Sequence, residues 1–215
     1  MLGYKFAQKN PINILCLGAH CDDIEIGAGG TILKILDTYK IASVKWVVFA
    51  SNEQRKIEAH KSAEQFLTGI QKKDIIINCF RDGFLPFMAA EIKESFEGIK
   101  KNFNPDLIFT HYRKDRHQDH RLISDLTWNT WRKHQILEYE IPKYDGDLGQ
   151  PNFYVPLEEE YISKRNKIIK SSFKSQESKH WFDEETFRSL PRIRGMESAN
   201  KYAEAFYSRK TILIE

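Results

Sequence analysis

Short apolar, β-prone runs alternate with longer amphipathic segments through the first 131 residues of this chain. Four such runs lie at residues 12–17, 44–50, 74–80 and 106–110. Their length and composition predict buried strands, and the segments between them repeat apolar residues at helical spacing. Alternation of strands with helices favours an α/β fold with a mostly parallel sheet and helices on both faces.

The segments between the strands predict four helices, at residues 31–39, 52–67, 86–103 and 120–131. Asn52 is expected to cap the second of these helices, and Ile57 is among the residues expected to face the sheet. The glycine-rich residues 27–30 are expected to form a turn before the first helix. Without a bulky side chain, they would also allow the backbone to pack closely there.

The last third of the chain has a different pattern. Short strands are predicted at residues 136–141 and 153–155, on either side of a turn-rich segment, and an amphipathic helix at residues 159–173. We find no internal repeat and no linker long enough to separate a second unit. Residues 1–215 are therefore expected to form one domain, with a C-terminal extension that covers the sheet edge and shapes a pocket.

Composition and charge exclude several classes of protein. The chain has 41% hydrophobic and 29% charged residues, which is ordinary for a globular protein. A formal charge of +3, with lysines and arginines spread along the chain, gives no basis for nucleic-acid binding. No apolar run approaches the roughly 20 residues of a membrane span, and the first residues do not resemble a signal peptide. Three cysteines without C-x-x-C spacing fit a reducing compartment, so we expect a cytoplasmic protein.

Two clusters of histidine and acidic residues follow the first and fourth predicted strands. Residues 18–31 read GAHCDDIEIGAGGT, and residues 110–120 read THYRKDRHQDH. The carboxyl ends of parallel strands meet at one edge of a sheet, which is where open α/β folds bind their ligands. Imidazole and carboxylate groups at this edge predict a site for one divalent metal, with zinc expected, and a carboxylate beside it for proton transfer.

The spacing within the clusters indicates candidate metal ligands. His20 and Asp23 are three residues apart in a loop that leaves a strand, so both side chains can bend toward one point. His120 is placed to supply a third ligand if it begins the helix after the second cluster. Two histidines and one carboxylate would leave one zinc position open, as in catalytic rather than structural zinc sites.

Other residues of the clusters are candidates for proton transfer. Asp22 adjoins Asp23 without being needed as a ligand, which makes it a candidate general base. His117 lies one helical turn before His120 and is a candidate to stabilise an oxyanion or to protonate a leaving amine. Asp119 is a candidate to orient one of the histidines, as carboxylates beside metal-bound imidazoles often do.

Each cluster also has an interpretation that needs no metal. Acidic residues are common where a strand ends in a turn, and Asp22 and Asp23 can simply cap the next helix. The histidines of the second cluster can lie on a solvated helix face. Asp115 is either a turn former or a group that binds sugar hydroxyls. The two clusters together, each after a strand, favour the metal site.

The paired clusters resemble the signatures of the LmbE/PIG-L family of zinc-dependent N-acetylglucosaminyl deacetylases. That family has a first motif H-P-D-D-x-E and a second motif H-x-D-H, and this chain has HCDDIE at residues 20–25 and HQDH at residues 117–120. Arg55 and Glu58 are similar to the family's R-x-x-E on the helix after the second strand. The Asp82-Gly83 turn and the late YAEAF sequence are weaker similarities.

The resemblance implies a Rossmann-like fold, one Zn²⁺ per chain and hydrolysis of an N-acetyl group from an amino sugar or sugar conjugate, giving acetate and the free amine. Cys21 stands where the family usually has proline. Without the fixed φ of proline the ligand geometry is expected to be looser, but no chemical group is lost. The side chain of Cys21 is expected to point away from the metal. By position in the motifs, the resemblance implies the zinc ligands His20, Asp23 and His120, the general base Asp22, the assisting His117 and the substrate-binding Arg55.

Two other functions remain open from the sequence. One is a different metal-dependent hydrolase on the same site, such as a phosphoesterase, which often uses a second metal for which no ligand set is evident. The other is a metal-free nucleotide-binding protein, but the glycine run matches neither G-x-x-x-x-G-K-[ST] nor G-x-G-x-x-G. The identity of the sugar and the presence of a homo-oligomer are left open.

Overall fold

The computed structural model describes residues 11–212, so the expectation about a signal peptide concerns residues outside the described range. Within this range the seven strands are β1 Ile12–Gly18, β2 Ile41–Ala50, β3 Lys73–Phe80, β4 Leu107–His111, β5 Gln135–Tyr139, β6 Phe153–Leu157 and β7 Tyr202–Tyr207. The α-helices are α1 Asp23–Thr38, α2 Glu53–Phe66, α3 Ala89–Asn102, α4 Gln118–Thr130, α5 Glu159–Ser172 and α6 Glu184–Glu197. Short 3₁₀ helices lie at Leu85–Met88 and Lys174–Gln176.

All seven strands form one sheet in the order β3-β2-β1-β4-β5-β7-β6. The first five strands in this order are parallel, whereas β7 is antiparallel to both β5 and β6. The mostly parallel α/β fold predicted from the sequence is therefore confirmed. β1 and β4 are direct neighbours, so the two histidine-aspartate clusters that follow them meet at the same edge of the sheet.

Two apolar cores lie on opposite faces of the sheet. Alternate residues of β1 point to different cores: Ile14 packs with residues of α1, α2 and α5, while Leu15 packs with residues of α3 and α4. This alternation is what a strand buried on both faces requires. Helices on both faces leave the carboxyl ends of the strands as the open edge. None of the described helices is long and apolar enough to cross a membrane.

The glycine-rich segment is helical, and the predicted turn at residues 27–30 is wrong. Helix α1 begins at Asp23, within the first cluster, and continues through the glycines. A Cβ on Gly27 would overlap the ring of Tyr139, and one on Gly30 would meet Leu157 and Glu204. The prediction of close packing is confirmed, and contact with other elements outweighs the low helix propensity of glycine.

One further prediction about an element needs correction, and two elements were not predicted. Asn52 does cap α2, accepting a hydrogen bond from the N–H of Arg55 at 2.9 Å, but Ile57 does not face the sheet because it is 70% exposed. Helix α6 and strand β7 were not predicted. Pro191 lies inside α6 and disguised the helical pattern, and β7 matches the YAEAF sequence that was noted only as a family similarity.

Candidate active site

Three side chains from the two clusters converge at the edge of the sheet. His20 lies in the β1–α1 loop, Asp23 opens α1, and His120 lies in the first turn of α4. The Nδ1 atom of His20 is 3.1 Å from Nε2 of His120 and 3.2 Å from Oδ2 of Asp23. Nε2 of His120 is 3.5 Å from the same carboxylate oxygen. We call these three atoms the donor triangle.

The outer nitrogen of His20 contacts two carboxylates. Its Nε2 lies 3.2 Å from Oδ2 of Asp119 and 3.1 Å from Oδ1 of Asp82. Asp119 is fully buried and also accepts hydrogen bonds from the N–H groups of Gly83 and Leu85. The Asp82 side chain is 78% exposed. The sequence pointed to the Asp82-Gly83 turn only as a family similarity, so the contact of Asp82 with His20 was missed.

The outer nitrogen of His120 contacts a third carboxylate. Its Nδ1 lies 2.9 Å from Oδ2 of Asp115, which is buried. Burial opposes ionisation of Asp115, but its contacts with His120 and Lys143 lower the pKa of that carboxyl to about 2. Asp115 is therefore a partner of a histidine rather than a simple turn former. Lys143 is 28 residues distant along the chain, and no sequence pattern indicated it.

His111, the last residue of β4, lies beneath the triangle. Its ring stacks on that of His120 at 3.9 Å, and its Nε2 accepts a hydrogen bond from the N–H of Ala19 at 2.9 Å. Burial and the neighbouring His120 lower the pKa of His111 to about 4, so the ring is neutral. Although burial opposes it, the neighbouring His120 and His20 hold the pKa of the Asp23 carboxyl well below its usual range.

Asp22 and Arg55, for which the sequence predicted separate roles, form an ion pair. Arg55 Nη2 lies 3.0 Å from Oδ2 of Asp22, and Nη1 lies 3.5 Å from Oε2 of Glu58. Glu58 accepts hydrogen bonds from the backbone N–H and the hydroxyl of Ser175 at 2.8 and 2.6 Å. The Arg55 guanidinium also lies 5.0 Å from the centre of the Phe173 ring. These contacts connect the candidate base to α2 and to the C-terminal part of the chain.

His117 is the N-cap of α4, and its Nδ1 accepts a hydrogen bond from the N–H of Asp119 at 3.3 Å. Its ring centre lies 4.8 Å from that of His20 and 4.7 Å from that of His120. Burial and these neighbouring rings lower the pKa of His117. A neutral His117 whose Nδ1 accepts a hydrogen bond carries its proton on Nε2, so it is a donor.

Two further residues of the first motif point into the protein. The thiol of Cys21 is buried and lies 3.5 Å from the carbonyl oxygen of Ala50, away from the donor triangle as expected. Glu25 is fully buried, and neither carboxyl oxygen has a hydrogen-bond partner among the described residues. Burial raises the pKa of Glu25 to about 8, so this carboxyl is mainly protonated near neutral pH.

Several combinations of these side chains have ligand atoms within 4.8 Å of one another, the spacing at which a metal can be bound. Besides the donor triangle, the described part of the chain offers His20 with His117 and His120, Asp23 with His111 and His120, and His20 with Asp82 and Asp119. The combinations overlap through His20 and His120, and their residues lie at the same edge of the sheet. The edge is therefore rich in metal-ligating groups whichever atoms are chosen.

Comparisons with known proteins agree with this arrangement. The family model described as PIG-L, GlcNAc-PI de-N-acetylase, matches residues 15–131, which include both clusters. The protein named uncharacterized deacetylase YaiS from Escherichia coli K12 is 27% identical over 164 residues, 73% of this chain and 88% of that protein.

Solved structures with low sequence identity share the fold. The N,N'-diacetylchitobiose deacetylase from Pyrococcus horikoshii is 21% identical with a TM-score of 0.66, over 94% of this chain and 87% of that one. GalB, the 4-carboxy-2-hydroxymuconate hydratase from Pseudomonas putida KT2440, is 15% identical with a TM-score of 0.70, over 95% and 98%. The fold alone thus accommodates different reactions. Because the family model covers more than half of the chain and both of its clusters, this protein belongs to the PIG-L family of deacetylases.

Proposed function

We propose that this protein is a zinc-dependent deacetylase that hydrolyses an N-acetyl group of an amino sugar or sugar conjugate. The observation that carries the proposal is the donor triangle, with Asp22 next to it in the sequence. The substrate class is supported by the description of the family and by the similar fold of a diacetylchitobiose deacetylase.

The donor triangle fits a zinc ion. Ligand atoms about 2.1 Å from a tetrahedral zinc lie roughly 3.4 Å apart. The three observed separations are 3.1, 3.2 and 3.5 Å. The outer nitrogens of His20 and His120 contact Asp119 and Asp115, so each donates its proton outward. Zinc ligation requires both imidazoles to be neutral, and their inner nitrogens would then be free to bind the ion together with Oδ2 of Asp23.

Bound zinc would supply Lewis acidity, polarising an amide carbonyl and lowering the pKa of a water toward about 7. Asp22 is proposed to accept a proton from the attacking water as the oxygen of this water forms a bond to the acetyl carbon. The ion pair with Arg55 keeps the carboxylate in place for this step. We propose, from its place in the family's R-x-x-E motif, that Arg55 also contacts the substrate.

His117 is proposed to donate a hydrogen bond from Nε2 to the carbonyl oxygen as negative charge develops there. Cleavage of the carbon–nitrogen bond requires a proton on the departing nitrogen, supplied either by Asp22, which has just received one, or by His117. Acetate and the free amine are the products. Asp119, which contacts His20, and Asp115, which contacts His120, are proposed to fix the two rings.

The proposal is tested with purified protein, measuring metal content together with acetate release from N-acetylglucosamine and N,N'-diacetylchitobiose. We expect about one zinc per chain and acetate release that His20→Ala and His120→Ala abolish. Phosphate release from phosphoesters, or hydration of an unsaturated carboxylic acid without acetate release, would contradict the deacetylase assignment. Full zinc occupancy in a folded His20→Ala/His120→Ala variant would contradict the proposed ligands.

A further inference from the structure

Lys143, just after β5, has an ammonium group whose hydrogen bonds are all made to acceptors within the protein. Its Nζ lies 2.6 Å from Oδ1 of Asp147, 2.9 Å from Oδ2 of Asp115 and 3.3 Å from the carbonyl oxygen of Ile141. An ammonium has three N–H donors, so each has an acceptor. The side chain is only 13% exposed, which makes this a fixed internal cation rather than a surface lysine.

Asp115 connects this cation to the donor triangle. Its Oδ2 contacts both Lys143 and Nδ1 of His120, and its Oδ1 accepts the N–H of His117 at 2.8 Å. On the other side, Oδ2 of Asp147 accepts the N–H of Arg116 at 2.6 Å. Lys143 and its two carboxylates therefore join the segment after β5 to the loop that precedes α4.

We propose that Lys143 is a positioning residue that fixes the His120 ring through Asp115 and anchors residues 143–147 beside the site. This inference rests on the proposed function, in which His120 is a metal ligand. Without the ammonium, two buried carboxylates would share this region with no cation between them. They would separate, and Asp115 would no longer be held in its present orientation toward His120.

A second effect of Lys143 has the opposite sign, so the two can be distinguished. Because the Lys143 ammonium also binds Asp115, this carboxylate is a weaker hydrogen-bond acceptor for the Nδ1 proton of His120. If that electronic effect dominated, removing the ammonium would make His120 a stronger ligand and tighten metal binding. If positioning dominates, as the three fixed contacts of Lys143 indicate, removal weakens binding.

The experiment measures Zn²⁺ and Co²⁺ dissociation constants by chelator competition for the wild type, Lys143→Met and Lys143→Arg. Lys143→Met should weaken binding about 10- to 100-fold, the usual effect of losing an outer-shell partner. Lys143→Arg should recover most of this loss. Lys34→Met is the matched control, because Lys34 binds Glu158 and the carbonyl oxygen of Pro156 far from the triangle, and it should leave affinity unchanged. Unchanged or tighter binding by folded Lys143→Met would overturn the proposal.

Amide hydrogen exchange of metal-free protein provides a readout that needs no metal. The N–H groups of Arg116 and His117 should exchange about 10-fold faster in Lys143→Met, because their acceptors Asp147 and Asp115 are released. Unchanged exchange would contradict the role of Lys143 by itself, whereas a wild type that binds no metal would contradict the proposed function instead.

If Lys143→Met does not fold, Asp147→Asn tests the same connection while keeping the cation. The N–H of Arg116 should then exchange faster than in the wild type, and metal affinity should fall by less than is expected for Lys143→Met. The absence of both effects would overturn the proposal.

Discussion

At the scale of single residues, the ion pair between Asp22 and Arg55 brings together side chains from a loop and from helix α2. Asp22 is buried, and a buried carboxylate needs a partner of opposite charge. Arg55 supplies that partner and is itself fixed by Glu58 and Phe173. The proposed base and the proposed substrate-binding residue therefore form one unit, and substitutions of either should affect turnover.

Replacing Asp22 by asparagine should reduce kcat while leaving the metal in place. The substitution keeps the shape of the side chain but removes its ability to accept a proton, and general bases contribute roughly 10²- to 10⁴-fold in rate. Acetate release and zinc content of the same preparation give the answer. Turnover close to that of the wild type would mean that another group accepts the proton.

Arg55→Ala should lower kcat/KM by roughly 10- to 100-fold, the worth of a hydrogen bond to a charged group. Zinc content should not change, because Arg55 contacts Asp22 rather than the donor triangle. Ile57→Ala is the control, since this exposed residue lies on the same helix. Equal kcat/KM values for Arg55→Ala and Ile57→Ala would show that Arg55 has no role in substrate binding or turnover.

At the scale of elements, helix α1 depends on glycines that a bulkier residue cannot replace. The fully buried ring of Tyr139 lies against Gly27, and the hydroxyl of Tyr139 donates a hydrogen bond to the carbonyl oxygen of Leu17 at 2.7 Å. The close approach of α1 to the sheet places Asp23, at the N-terminal end of this helix, beside the histidines that follow β4.

Gly27→Ala should destabilise the protein by about 1–3 kcal/mol, the usual cost of overpacking a core. Gly98→Ala, in the exposed part of α3 with no atom within 4 Å of the added Cβ, should instead stabilise it by up to about 1 kcal/mol. Urea unfolding in the presence of a chelator measures both changes without a contribution from bound metal. Similar effects of the two substitutions would show that Tyr139 can move aside.

The sequence predicted elements wherever local pattern and tertiary structure agree. Strands β1 and β4 are largely apolar because both faces of the sheet are covered, so their prediction was simple. The start of α1 was missed because glycine opposes a helix locally. The presence of glycine in this helix is explained by its close contacts with residues distant in sequence, such as Tyr139 and Glu204. Pro191 hid α6 for the same reason, since helix propensity is a local quantity.

The candidate site was predictable to the extent that its residues lie in motifs. His20, Asp23 and His120 were named from two short clusters, and the structure brings their ligand atoms within 3.5 Å of one another; their role as ligands stays a prediction. The contact of Lys143 with Asp115 joins residues 28 positions apart. No periodicity or spacing encodes such a pair, because it arises only when the loop after β5 folds back over the second cluster.

At the scale of the whole molecule, a buried ion pair links the C-terminal strands to the first helix. Glu204 on β7 accepts hydrogen bonds from the N–H groups of Gly30 and Thr31, at 2.9 and 2.7 Å, and from Arg165 at 2.9 Å. Arg165 is almost fully buried on α5. Three elements distant in sequence therefore share one carboxylate, and the N-terminal half is packed against the C-terminal extension through it.

Glu204→Ala should destabilise the protein by about 3–5 kcal/mol, because it leaves the buried Arg165 cation unpaired. Glu158→Ala is the control: Glu158 pairs with Lys34 near the surface, so its loss should cost no more than about 1 kcal/mol. Chemical denaturation followed by circular dichroism measures both. A loss below 1 kcal/mol for Glu204→Ala would mean that water reaches Arg165 in the variant.

Strand β7 is the last of the described strands along the chain, yet it lies inside the sheet between β5 and β6. While the protein is being made on the ribosome, the outer edge of β5 has no strand to pair with until residues 202–207 have emerged. β6 is synthesised earlier, but its partner in the sheet is β7, so β6 also stays unpaired until β7 has emerged. Unpaired strand edges promote aggregation. Nascent chains that end before residue 202 are therefore expected to depend on chaperones, and completion of the sheet becomes a late event in biosynthesis.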